Sequence, residues 1–171
     1  MRLFIAIELP AELKRKLGQL RTDIPGVRWV PPEQIHLTLA FLGDVNEETV
    51  ERLTTHLADI RASTFKLSCG SIGCFPGRQQ PRVVWIGVTP EPGLLKLAAA
   101  VQQSALYAGI PLEERPFSPH LTLARLKLPA SAGLRAFLDR QSKLSFKPFA
   151  VHEFTLFQSR LTSQGAVHSP V

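Results

Sequence analysis

The chain has 171 residues, 44% of them hydrophobic and 20% charged, a balance that excludes a disordered or fibrous polymer and predicts a globular domain. Twenty Lys and Arg against fourteen Asp and Glu give a formal charge of +6; this disfavours a cationic partner and favours phosphorylated ligands or nucleic acid, although the basic residues are spread along the chain as on any solvated surface. No apolar run approaches a membrane span, and the opening one meets Glu8 too early for a secretory signal, so a cytoplasmic location with no membrane partner is expected.

The elements follow from periodicity. Residues 2–8 alternate as a strand. Pro10 opens a helix with Leu13, Leu17 and Leu20 on one face. A short strand at 27–30 is broken by Pro31 and Pro32, a strand at 35–41 follows, and Gly43-Asp44 turns the chain. Asn46 suits the N-cap of a helix carrying Val50, Leu53, Leu57 and Ile60 on one side. A strand at 65–69 closes this half, and a loop at 70–81 joins it to the next. The second half reads in the same order: a strand at 82–88, a helix with Leu94, Leu97, Val101 and Ala105 inward ending near Gly109, a short extended piece at 115–117, and a strand at 121–126. A helix with Leu134, Phe137 and Leu138 and a long strand at 149–157 complete it. Cys69 and Cys74 lack the spacing and number of a structural zinc site, and Cys69, ending an alternating segment, is expected to be buried.

The chain repeats itself. Ile35-His36-Leu37-Thr38-Leu39-Ala40-Phe41-Leu42 returns as Pro119-His120-Leu121-Thr122-Leu123-Ala124-Arg125-Leu126, an offset of 84 residues. The flanks keep that offset, since Asn46 maps onto Ala130 and Phe65 onto Phe149. The expected fold is therefore α+β: a single two-lobed domain over 1–171, built from two β-α-β-β-α-β-like lobes at roughly 1–80 and 81–171 about a pseudo-two-fold axis.

Side chains at i and i+2 of a strand share a face. His36 and Thr38 therefore point together, as do His120 and Thr122, while Leu37, Leu39, Leu121 and Leu123 face the layer behind. Two such strands across one cleft oppose two imidazoles with hydroxyls beside them. Cleaving a phosphodiester needs a base for the attacking oxygen and an acid for the departing one. Imidazole, with its pKa near neutrality, can be either, and the hydroxyls can donate to phosphate oxygens. No carboxylate cluster accompanies these strands, so a divalent-metal mechanism is not expected. His56, His152 and His168 are given no role.

The fuller strings resemble the two-histidine phosphoesterase superfamily, and within it the bacterial and archaeal RNA 2′,3′-cyclic phosphodiesterase family, also called 2′-5′ RNA ligase. They are Arg2-Leu3-Phe4-Ile5-Ala6-Ile7, His36-Leu37-Thr38-Leu39-Ala40-Phe41-Leu42-Gly43, Pro81-Arg82-Val83-Val84-Trp85-Ile86-Gly87 and Arg115-Pro116-Phe117-Ser118-Pro119-His120-Leu121-Thr122-Leu123-Ala124-Arg125. The resemblance implies a bilobal fold with a V-shaped cleft between antiparallel-dominated sheets and helices outside. It implies hydrolysis of an RNA-terminal 2′,3′-cyclic phosphate to a 2′-phosphomonoester without metal or nucleotide cofactor. By position it makes His36 the acid that protonates O3′, His120 the base that activates water, and Thr38 and Thr122 phosphate ligands; the pseudo-dyad allows the acid and base labels to be exchanged. It also makes Arg125 a phosphate contact. A regular strand would put Arg125 on the buried face with Leu121 and Leu123, so a bulge or strand end is required there. Phe4 and Trp85 are candidates for a base-stacking wall of the cleft.

Other readings remain at this stage. The same site run backwards would join a 2′,3′-cyclic end to a 5′-hydroxyl, as a 2′-5′ RNA ligase. The positive charge also fits a non-catalytic RNA-binding module, and two histidines a metal site short of a third ligand. The expected partners are RNA ends bearing a 2′,3′-cyclic phosphate, with small cyclic nucleotides as a further possibility. A monomer is expected, because the chain supplies both halves of its own dyad.

Overall fold

The computed structural model describes residues 1–127 and 129–171. Among them lie β1 (Arg2–Glu8), α1 (Ala11–Gly18), β2 (Val27–Trp29), β3 (His36–Asp44), α2 (Glu47–Ala58), β4 (Phe65–Leu67) and β5 (Cys69–Phe75). They are followed by β6 (Val83–Val88), α3 (Pro92–Tyr107), β7 (His120–Leu126), α4 (Ala132–Arg140), β8 (Phe149–Val151), β9 (Thr155–Thr162) and β10 (Gly165–Pro170).

Helices α2, α3 and α4 begin where a side chain supplies an acceptor for an orphan amide, while α1 starts after Pro10 without one. Asn46 accepts from Thr49 N at 2.9 Å, Glu91 from Leu94 N at 3.0 Å and Ser131 from Leu134 N at 3.2 Å. Helix α3 ends as expected near Gly109, which lies two residues past Tyr107 and whose φ of +86° only glycine adopts without strain. Each helix buries its apolar stripe: Leu13 and Leu17 from α1, Val50, Leu53 and Leu57 from α2, Leu94, Leu97 and Val101 from α3, and Leu134, Phe137 and Leu138 from α4. No helix among the described residues is long and apolar enough to cross a membrane.

The strands form one antiparallel sheet in the order β10-β9-β1-β3-β7-β6-β5, with β2 added to β7, and a separate β4–β8 ribbon. The two wings are joined at the motif strands β3 and β7 through the single pair Leu37 and Leu121. These two leucines are 84 residues apart, so the pseudo-dyad passes between them. The wings also exchange strands: β2 and β5 of the first half lie on β7 and β6, and β9 and β10 of the second half extend from β1.

Several local expectations change. The loop expected at 70–81 opens with strand β5, paired to β6. Its glycines obscured the alternation, yet Gly73 is required: a Cβ there would collide with the Trp85 indole that lies over it. The strand at 149–157 is broken into β8 and β9, and β10, unforeseen, hairpins back on β9. Residues 115–117 form no strand, and β3 runs on through Gly43 and Asp44 to end only there. Both cysteines are buried and free; burial is expected of Cys69 from the sequence.

Candidate active site

Strand β6 alternates without interruption: Val84, Ile86 and Val88 are buried, and Val83, Trp85 and Gly87 lie on the other face. Directly opposite residues of an antiparallel pair share a face. Gly87 faces His120, Trp85 faces Thr122 and Val83 faces Arg125, so all six are on the helix-free side. The register skips Leu123, where β7 bulges; Leu123 and Ala124 are both buried, and parity reverses beyond them. This is how Arg125 joins His120 and Thr122. Strand β3 has the same bulge at Leu39: Glu8 faces His36, Ala6 faces Thr38 and Phe4 faces Phe41.

The two imidazoles are held identically. His36 Nδ1 lies 2.7 Å from the Gln34 carbonyl, and His120 Nδ1 lies 2.7 Å from that of Ser118. A carbonyl only accepts, so Nδ1 carries the proton in both neutral rings, and each Nε2 keeps its lone pair. The chain before each strand sets up this bond. A short 3-10 turn at Pro32–Gln34 precedes His36, and Pro119 precedes His120.

The surroundings of the two rings differ. Ala6, opposite Thr38, leaves room for the His36 ring to stack on Phe4 at 4.7 Å, and Phe4 stacks in turn on Phe157 at 5.2 Å. His168 of β10 closes against this group, its ring 5.3 Å from His36 and 4.8 Å from Phe4. Burial pushes the His36 pKa down to about 4; the Gln34 carbonyl and Glu8 oppose the shift, while His168 and Lys14 add to it. His168 is lowered too, by burial against the pull of Glu8. In the other wing the place of Ala6 is taken by Trp85, and His120 meets Phe75 edge-on at 4.9 Å. His36 and His120 are both half-buried, and Arg125 is exposed.

The remaining predicted residues fall as follows. Thr38 and Thr122 lie half-buried beside their histidines. Trp85 is on the same face, against Phe75. Phe4 is on that face but only 4% exposed; its ring is the bed under His36 and has no open side for a base. The open aromatic is Phe41, 70% exposed and the repeat counterpart of Arg125. Strict alternation hides Phe41, whereas Arg125 is expected on this face given a bulge, and the shared 84-residue offset is the signal that links them. His168, given no role from the sequence, lies against His36; nothing local in a tail segment marks it. His152 is exposed between β8 and β9, and His56 sits beside Tyr107 in the helical layer. Among the described residues no three His, Cys, Asp or Glu side chains gather in a way that could hold a metal ion.

A duplicated antiparallel sheet with one imidazole–hydroxyl pair on each central strand is the arrangement of a two-histidine phosphoesterase. Residues 7–85 and 86–168 each match the family model described as LigT like Phosphoesterase, and the chain belongs to that family. It is 34% identical over 171 residues to the RNA 2′,3′-cyclic phosphodiesterase of Archaeoglobus fulgidus, covering 98% of this chain and 96% of that one. With the RNA 2′,3′-cyclic phosphodiesterase of Escherichia coli K12 it shares 33% over 180 residues, 99% of this chain and 93% of that one. Among solved structures, E. coli LigT complexed with 3′-AMP superimposes with a TM-score of 0.84 at 33% identity, over 99% of this chain and 94% of that chain. The matched stretches start 79 residues apart, the offset of Ala6 and Trp85. The motif strands are 84 apart, and the extra residues fall in the segment that holds the longer α3.

Proposed function

We propose that this chain is a hydrolase that opens an RNA-terminal 2′,3′-cyclic phosphate to a 2′-phosphomonoester, with His36 and His120 as its acid and base. The observation that carries this reading is the matched pair of imidazoles. Each is tied at Nδ1 to the carbonyl two residues earlier and offers Nε2 on one face of the two central strands. The names of full-length relatives supply the substrate class.

In the proposed reaction a water oxygen bonds to phosphorus as the P–O3′ bond breaks. The base Nε2 takes a proton from the water, and the acid Nε2 gives one to O3′, so the cycle closes when solvent returns the protons. Thr38 and Thr122 donate to the non-bridging oxygens, and Arg125 offsets their charge. Phe41 is the open aromatic face for the terminal base. His36 serves as acid only once it is protonated. Its burial keeps it neutral in the empty cleft, and an anionic phosphate brought against Nε2 raises its pKa in the complex. Each wing supplies one imidazole, so one chain holds a full site.

The test is product analysis on a short RNA ending in a 2′,3′-cyclic phosphate, with a chelator present. A 2′-phosphate end is the expected product. An intact cyclic end, or a 3′-phosphate, rejects the reading.

A further inference from the structure

We infer that Arg28 and Lys127, continuing outward from Arg125, form a second anion site that holds the phosphodiester backbone of single-stranded RNA on the 5′ side of the reacting nucleotide. The inference rests on the proposed cyclic-phosphate end but concerns a different part of the substrate.

Arg28 of β2 is directly opposite Arg125 of β7. Arg125 is on the face of His120 and Thr122, so Arg28 is on it too. Its neighbours confirm this orientation: Val27 and Trp29 point the other way, Trp29 packing edge-on against Phe137 of α4 at 5.2 Å. Both arginines are exposed. Lys127 lies two residues beyond Arg125, its amide bonded to Gly26 O at 3.1 Å, and it lines one open depression with Gly26, Val27 and Arg28. Two cations thus continue the line His120–Thr122–Arg125 outward from the cleft.

Like charges directly opposite on neighbouring strands destabilise a sheet. The usual remedy is a carboxylate paired with one of them. The six ion pairs of the described residues involve none of Arg28, Arg125 or Lys127. In the other wing the residue opposite Arg2 is Asp44. A like-charged pair left open beside an anion-binding site is suited to an anion from outside. At about 3.3 Å per residue, Arg125 is at most roughly 10 Å along the strand from Thr122. A guanidinium there can lean back to the phosphate at the histidines, whereas Arg28, one strand further out, and Lys127, two residues further on, are placed for the next phosphate of the same strand. The opposite wing shows Phe41 at the position of Arg125, so the cleft has an apolar end for a base and a cationic end for backbone.

The experiment is fluorescence anisotropy with a 5′-labelled single-stranded RNA hexamer ending in a 2′-phosphate, across a range of salt concentrations. The matching nucleoside 2′-phosphate serves as unlabelled competitor. Arg28→Gln is expected to lower the slope of log K against log salt by about 0.7, equivalent to about fivefold weaker binding at 0.1 M relative to 1 M salt. It should leave the mononucleotide's affinity unchanged. Lys127→Gln should act the same way, and Lys96→Gln, an exposed charge on α3, should change neither quantity. An unaltered slope in Arg28→Gln overturns the inference. So does an equal loss for hexamer and mononucleotide, which would put Arg28 at the terminal phosphate, or an equal effect of Lys96→Gln, which would reduce the track to net charge. Because the readout is binding of an end that is not turned over, it stands apart from failure of the proposed hydrolysis.

Discussion

Leu37 and Leu121 face each other across the only registered pair between β3 and β7, and neither has any measurable exposure. Everything polar in the site hangs from this contact, because His36 and Thr38 flank one leucine and His120 and Thr122 the other. Leu37→Ala and Leu121→Ala should each cost about 2–5 kcal/mol of stability, as cavities in a packed core do. Urea denaturation measures this. The double variant should depart from additivity, since the two side chains touch the same space; strict additivity would mean that the wings are not coupled there.

Replacing either histidine by alanine should lower kcat/KM on the cyclic-phosphate RNA by about 10²–10⁴. The two variants separate on a phosphodiester with a p-nitrophenolate leaving group, which departs without protonation. If His36 is the acid, His36→Ala recovers most of its loss on that substrate and His120→Ala does not. The reverse pattern exchanges the two roles.

The buried imidazole of His36 also ties stability to pH. Its folded pKa, about 4, lies below the unfolded value of about 6.5, so below pH 6.5 the unfolded chain binds the proton first. Stability is full above pH 6.5 and falls as the pH drops towards 4, by roughly 3 kcal/mol from this group. His36→Gln, which cannot titrate, should flatten that part of the curve between pH 7 and pH 4 in chemical denaturation. An unchanged curve would place the loss elsewhere.

Phe41 is a large apolar side chain left exposed beside the site. Phe41→Ala should leave the unfolding midpoint within the range of ordinary surface changes. Affinity for a 2′-phosphate nucleotide should weaken by about 1–3 kcal/mol. Equal affinity in wild type and variant would show that the base does not stack there.

The amino-acid sequence by itself determined the helices, the strand identity of both motifs, the duplication, and the polar face shared by each His/Thr pair. These follow from local periodicity and from caps such as Asn46, which need no distant partner. Tertiary structure decided what depends on pairing between remote strands. The bulges at Leu39 and Leu123 return Phe41 and Arg125 to the cleft face, and they are visible only against the uninterrupted alternation of β1 and β6. Strand β5 is concealed by its glycines, of which Gly73 makes room for Trp85, and β10 brings His168 to His36 from the far end of the chain. Arg28 stands beside Arg125 only because β2 crosses to the other wing. A side chain's face is a local property until a register shift reverses it, and registers are set by the partner strand.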